Sequence, residues 1–225
     1  MENKIEIHDV TKSFHGGCIL KNINLTIPTG STVGIVGANG SGKSVLFKLI
    51  CGFVKPDQGE VIVNGEVLGS KNDFPQNVGV FINEPGYISI YNGFQNLRYL
   101  ADIKGIISDS QICDTMKLVG LDPKNKTKVE NYSLGMKQKL GIAQAIMEDQ
   151  EIVILDEPFN ALDYKTHQDI KEIIRILQSE EKTVLLTSHN YEDIEELCDY
   201  IYLIEDGVLE ELSGLALDRY RNCKR

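Results

Sequence analysis

The chain has 225 residues, enough for one sizeable core or for one core carrying a subdomain, and the second is expected. Its 33 acidic against 23 basic residues leave a net charge of -10, which removes any overall positive field that would draw it to nucleic acid or anionic lipid. Five scattered cysteines (Cys18, Cys51, Cys113, Cys198, Cys223) show no C-x-x-C spacing and point to neither a disulfide framework nor a zinc site, in keeping with a reducing cytosol. Met1-Glu2-Asn3-Lys4 leads straight into alternation rather than into an apolar leader, and no run approaches the roughly eighteen apolar residues of a membrane span, so neither signal peptide nor span is expected.

Ile5 and Ile7 alternate with Glu6 and His8, and Ile19 to Ile27 runs similarly before Pro28-Thr29-Gly30. These segments predict antiparallel strands ahead of a buried strand with Val33, Ile35 and Val36. A helix follows from about Ser44, with Val45, Leu46, Leu49 and Ile50 on one side, and stops near Gly52; Pro56-Asp57-Gln58-Gly59 then reads as a turn into Val61-Ile62-Val63. From Glu84 to Gln150 the period becomes helical: Phe94, Leu97 and Ala101, then Ile112, Met116 and Val119, then Met136, Leu140, Ala143 and Met147. Ile152 to Leu155 reads as a buried strand, Ile170 to Leu177 as a helix, Val184 to Thr187 as a strand, and Ile194 with Leu197 as a short helix. Asp206-Gly207 between Tyr200 to Ile204 and Val208 to Leu212 is a hairpin signal. The alternating strands and helices imply an α/β fold, a three-layer core with a mainly parallel sheet, an N-terminal antiparallel β subdomain and an inserted α-helical subdomain. A single domain is expected, with 1–83 and 151–225 as core and 84–150 as the helical insert.

Two motifs carry chemistry. Gly37-Ala38-Asn39-Gly40-Ser41-Gly42-Lys43-Ser44 fits G-x-x-x-x-G-K-[ST] between the predicted strand and helix. Its glycines let backbone N–H groups face a phosphate, where the helix N-terminus adds roughly half a positive charge. Nucleotide contacts are assigned from Gly37 through Val45; Lys43 would grip the β/γ oxygens and Ser44 would hold Mg²⁺. The second motif, Asp156-Glu157, stands at the C-terminal end of a buried strand, where open parallel sheets place their ligands. Asp156 would bind Mg²⁺, usually through water, and Glu157 would polarise the water that attacks the γ-phosphate.

Three further elements follow in a fixed order: Tyr132-Ser133-Leu134-Gly135-Met136, then Asn160-Ala161-Leu162-Asp163, then Thr187-Ser188-His189. Together the motifs resemble those of the ATP-binding cassette (ABC) ATPases from Ile5 to about Leu212. The resemblance implies that Ser133, Leu134, Gly135 and Met136 stand at the signature, Leu-Ser-Gly-Gly-Gln in the family, which covers the γ-phosphate of ATP held by the opposite subunit. It implies that Asp163 lies in the loop that communicates across the dimer and that His189 is the switch histidine that contacts the γ-phosphate. Phe14 stands where an aromatic stacks on adenine. Asn83 stands where the family has a metal-reaching glutamine; it is one methylene shorter, so Glu84 is the other candidate. The signature lacks one glycine and the amide, and such variants resemble the bacterial export branch associated with antimicrobial-peptide resistance or immunity.

The resulting expectation is an ATP-hydrolysing subunit of an ABC membrane transporter, an exporter, using ATP and Mg²⁺. Its partners would be a second ATPase subunit, identical or homologous, and a transmembrane permease holding it on the cytoplasmic face of the cell membrane; no nucleic acid is involved. Pro85, Tyr87, Ile88, Ile90 and Tyr91, in the 83–99 region, form the apolar and aromatic cluster that would receive a permease helix. The alternatives are a soluble ABC ATPase acting on nucleic acid or ribosomes, a phosphotransferase, and a nucleotide sensor without turnover. The first is opposed by the acidic balance, the second by the scarcity of arginines (Arg98 and Arg175 outside the tail), the third by Glu157.

Overall fold

The computed structural model describes residues 2–14, 16–82 and 86–214. In chain order the elements are β1 (Asn3–Phe14), β2 (Gly17–Pro28), β3 (Thr32–Val36), α1 (Lys43–Ile50), β4 (Gln58–Val63), β5 (Glu66–Val67), β6 (Val78–Phe81), α2 (Gly93–Lys104) and α3 (Asp109–Leu118). There follow α4 (Leu134–Ile146), β7 (Ile152–Leu155), α5 (Tyr164–Ser179), β8 (Thr183–Thr187), α6 (Tyr191–Leu197), β9 (Tyr200–Glu205) and β10 (Val208–Glu211). The chain divides into two compact units, one of residues up to Gln76 and from Leu185 onward, the other Asn77–Val184.

In the first unit, the predicted alternation becomes an antiparallel sheet of order β2-β1-β4-β5. Its register sets apolar against apolar: Ile5 opposite Ile27, Ile7 opposite Leu25 and Val10 opposite Ile23, all buried. Such pairs on one face are what a half-buried sheet needs. The expected turn at Pro56–Gly59 is shorter than its composition suggests. Strand β4 begins at Gln58, and Gly59 (φ 80°) lies in the strand beside a register shift between His8 and Thr11. A Cβ there would stand 2.3 Å from the carbonyl oxygen of His8, so the glycine serves a bulge where two backbones approach.

Strand β3, buried along its whole length, pairs in parallel with β9, Val33 opposite Tyr200 through Val36 opposite Leu203. Asp199 locks that start, its Oδ2 accepting from the Thr32 N–H at 2.8 Å. The hairpin of β9 and β10 turns on Asp206 (φ 50°) and Gly207 (φ 80°), the paired left-handed conformation of a tight two-residue turn.

In the second unit, β6 and β7 pair in parallel, Val78 opposite Ile152 through Phe81 opposite Leu155. Helix starts are signalled by side chains: capping boxes at Asn92 with Gln95 and Ser108 with Gln111, and single caps at Ser133 and Asp163. Leu97, Ile112, Met116, Leu140, Ile170 and Ile174 are fully or almost fully buried in its core. Helix α4 and β6 approach closely: a Cβ on Gly79 would stand 1.8 Å from the Ala145 carbonyl oxygen. The oxygen it would meet is backbone and cannot rotate aside, so helix and strand would have to separate. Gly79→Ala is expected to lower stability by about 3 kcal/mol, read as a reduced midpoint in urea unfolding at unchanged slope.

Cys18, Cys51, Cys113 and Cys198 are free thiols, and burial pushes Cys51 up to about 12. No helix among the described residues is long and apolar enough to cross a membrane.

Candidate functional site

The phosphate loop lies in the first unit. Strand β3 ends at Val36 and α1 begins at Lys43, and Ala38, Asn39 and Gly40 between them are exposed. Gly37 has φ 152°, and a Cβ there would stand 2.4 Å from the Ile204 carbonyl oxygen of β9, so the loop leaves the sheet through a gap only glycine fits. Gly42 caps α1 in the left-handed conformation with no side-chain hydrogen bond, and the helix's first turn carries no acid. The start of α1 therefore carries no acidic side chain of its own to compete with a bound anion. Ser41 Oγ is buried with no hydrogen-bond partner among the described residues, a donor without an internal acceptor. Lys43 is 7% exposed and donates to the carbonyl oxygens of Gly37 at 2.8 Å and Ala38 at 3.1 Å, curling over the loop. A glycine cradle, a helix start without acid, an orphaned hydroxyl and a folded-back lysine suit the phosphates of a nucleotide. Ser44 and Val45 follow on the first turn of α1, both half-buried.

The acidic motif lies in the second unit. Asp156 is 6% exposed, and its N–H donates to the Phe81 carbonyl at 2.7 Å, extending the β6–β7 pairing by one bond beyond the strands. The carboxylate thus stands at the C-terminal ends of both strands. Glu157 takes φ 54°, rare for a residue with a Cβ, and its carbonyl accepts from the Asn160 N–H at 3.2 Å in the turn that follows. A left-handed non-glycine residue costs about 1–2 kcal/mol, and such strain collects at sites of chemistry.

Ser133 caps α4, its Oγ accepting from the Met136 N–H at 3.2 Å. That bond uses the hydroxyl as acceptor and leaves its O–H to donate. Ser133 and Leu134 are exposed, and Gly135 and Met136 half-buried. Tyr132 before them is buried, which raises its phenol, and its oxygen accepts from the Gly93 N–H at 3.2 Å. Asp163 caps α5; the Thr166 N–H, then the Thr166 hydroxyl, hold its carboxyl below the usual range.

In the first unit His189 is exposed just beyond β8, ahead of the Asn190 cap of α6. Phe14 is 40% exposed at the end of β1, with Lys12 Nζ 5.2 Å from its ring centroid. Lys12 in turn donates to Asp57 at 2.6 Å, and Asp57 also accepts from the Ser13 N–H at 2.7 Å. This brace behind the aromatic was not read from sequence, since its partners are far apart in the chain. Asn83 and Glu84, the alternatives for the family's glutamine, lie outside the described residues, as does Pro85 of the apolar cluster.

A family model described as ABC transporter matches residues 20–160. An uncharacterized ABC transporter ATP-binding protein of Bacillus subtilis (strain 168) is 40% identical over 206 residues, 92% of this chain and 94% of that protein. A bacitracin transport ATP-binding protein of Enterococcus faecalis is 34% identical, over 100% of this chain and 73% of that protein. A lantibiotic transport ATP-binding protein of Streptococcus pyogenes is 35% identical, over 90% of this chain and 87% of that protein. Among solved structures, a dimeric ATP-binding cassette in a post-hydrolysis state, bound to ADP and Pi, superposes with a TM-score of 0.82 at 26% identity, covering 94% of this chain and 100% of that one. The chain belongs to the ABC transporter family, as an ATP-binding and ATP-hydrolysing subunit of a membrane transporter.

Proposed function

We propose that the chain works as one of two cassettes that clamp ATP head to tail and drive a separate transmembrane permease, exporting a peptide antibiotic from the cytoplasmic face of the membrane. The observation that carries the shared-site reading is the exposed Ser133 at the start of α4, with a donor to spare and no acid in the first turn. It is a second phosphate-ready helix start in a chain that already has one at Gly42, and the similar ADP- and Pi-bound cassette is a dimer. The peptide cargo and the export direction rest on likeness to the bacitracin and lantibiotic transport proteins.

In this reading Gly37 to Val45 wrap the triphosphate and Lys43 leaves the loop carbonyls for the β/γ oxygens. The partner's Ser133 and Gly135, with Leu134 and Met136 beside them, cover the γ-phosphate, Asp163 reports across the seam, and Phe14 stacks on adenine. Mg²⁺ would be carried partly by ATP's own oxygens. Ser44 and Asp156 would hold it, with Asn83 or Glu84 completing the set; bound there it neutralises charge on the transferring phosphoryl group. Glu157 takes the proton of the attacking water, and His189 steadies the γ-phosphate. Once that phosphate is cleaved, the contacts to it are gone and the clamp opens. The division into a core of 1–83 and 151–225 and a helical subdomain of 84–150 belongs to the same reading. Ile90 and Tyr99, 60% and 56% exposed, offer apolar surface to a permease helix.

Mixing two inactive variants tests the shared site. Lys43→Ala spoils the loop and Ser133→Arg the cover, so a mixed pair retains one intact site made of both wild-type halves. Equal mixing is expected to restore about a quarter of the parent ATPase activity, because half of random pairs are mixed and each has one good site of two. A mixture no more active than its components would exclude sites built from two chains.

A further inference from the structure

Two of the motif elements in the second unit converge on a single side chain. Thr166, in the first turn of α5, donates its hydroxyl to Asp163 Oδ2 at 2.8 Å, and its backbone N–H donates to Asp163 Oδ1 at 3.0 Å. A Cβ built on Gly135 would stand 2.8 Å from Thr166 Cγ2 and 3.0 Å from Thr166 Oγ1, so the start of α4 is pressed against the start of α5 at this residue. Glycine inside a helix costs about 1 kcal/mol relative to alanine, and its φ here is not in the left-handed region, so close approach is the reason left for Gly135. A hydroxyl on one motif and a methyl group on another give a β-branched residue two jobs, and its restricted χ1 lets one rotamer do both.

We infer that Thr166 is a positioning residue that locks the turn bearing Ser133 to the turn bearing Asp163, so that both reach the second subunit's nucleotide as one rigid edge. The inference rests on the shared-site reading above. It goes beyond that reading in assigning the coupling to one residue outside both motifs, through its hydroxyl to Asp163 and its methyl to Gly135.

Thr166→Val keeps the branched shape and removes the donor; Thr166→Ser keeps the donor and removes the methyl group. In steady-state ATPase assays of the full chain, Thr166→Val is expected to lower kcat about tenfold while KM for ATP, set by the phosphate loop of the first unit, stays within about twofold. Asp163→Asn is expected to lower kcat similarly, and the double variant no further than either single change, since both break one link. Losses that multiply, or a folded Thr166→Val with parental kcat, would overturn the inference. Should Thr166→Val not fold, Gly135→Ala supplies the second test: it is expected to lose most activity, and Thr166→Ser in the same chain to restore part of it by removing the nearest atom, 2.8 Å away, while the hydroxyl oxygen at 3.0 Å stays. No restoration would count against the inference. The two readings fail differently: a mixture of Lys43→Ala and Ser133→Arg without recovered activity ends the shared site before any Thr166 variant is made, whereas recovered activity with a neutral Thr166→Val ends the coupling alone.

Discussion

Glu157→Gln is expected to lower steady-state ATP turnover about 10²- to 10⁴-fold while ATP still binds. The amide keeps the size of the side chain and cannot accept the water's proton. Fold and loop should be unaffected, because the unusual feature at this position is the backbone, φ 54°, and glutamine meets the same left-handed strain as glutamate. Asp156, whose N–H is bonded to Phe81 and whose carboxylate is assigned to Mg²⁺, is left in place. The variant should therefore accumulate the ATP-bound state that the parent passes through. In gel filtration with magnesium-ATP, the parent is expected to run mainly as a single chain and the variant as a dimer; with ADP both should run as single chains. Unchanged turnover would remove the general base assigned here, and slow turnover without dimers would leave the base and remove the clamp.

The sequence yielded motifs and periodicities more readily than packing. Alternation at Ile5 and Ile7, and the apolar run Ile152 to Leu155, mark β1 and β7 because sheet burial acts on every second residue or on all of them. The hairpin at Asp206-Gly207 was legible for a similar reason, its left-handed turn having a composition of its own. Gly59 was read as part of a turn because glycine marks turns and bulges alike; only the β1 carbonyls beside it tell the two apart. Gly79 and Gly135 have no local signature, since what requires them is Ala145 and Thr166, neighbours only in the fold. In the site, the phosphate loop and the acidic pair are contiguous in sequence and could be read residue by residue. The brace from Asp57 to Lys12 and Ser13, behind Phe14, is assembled across strands and could not.

The loop glycines provide the other large effect, and the geometry ranks them. Gly37→Ala should weaken ATP binding at least about a hundredfold, near 3 kcal/mol. Its new Cβ would meet the Ile204 carbonyl oxygen at 2.4 Å and Ser41 Oγ at 2.7 Å, so relief requires the loop to lift from β9. Lifting it carries away the carbonyl of Gly37 that holds Lys43, along with the hydroxyl of Ser41. Gly40→Ala is the control. It lies in the same loop at φ 78° with no atom within 4 Å of the added carbon, so it bears only the left-handed strain of about 1–2 kcal/mol. Part of that is offset by the reduced freedom of the unfolded chain. Titration with a fluorescent ATP analogue should place Gly40→Ala between the parent and Gly37→Ala. Thermal melts without nucleotide should differ less than melts with it, because stabilisation by a ligand scales with the logarithm of its affinity. Equal weakening by the two substitutions would mean that backbone conformation alone governs the loop, and that its seat against β9 contributes nothing to holding phosphate.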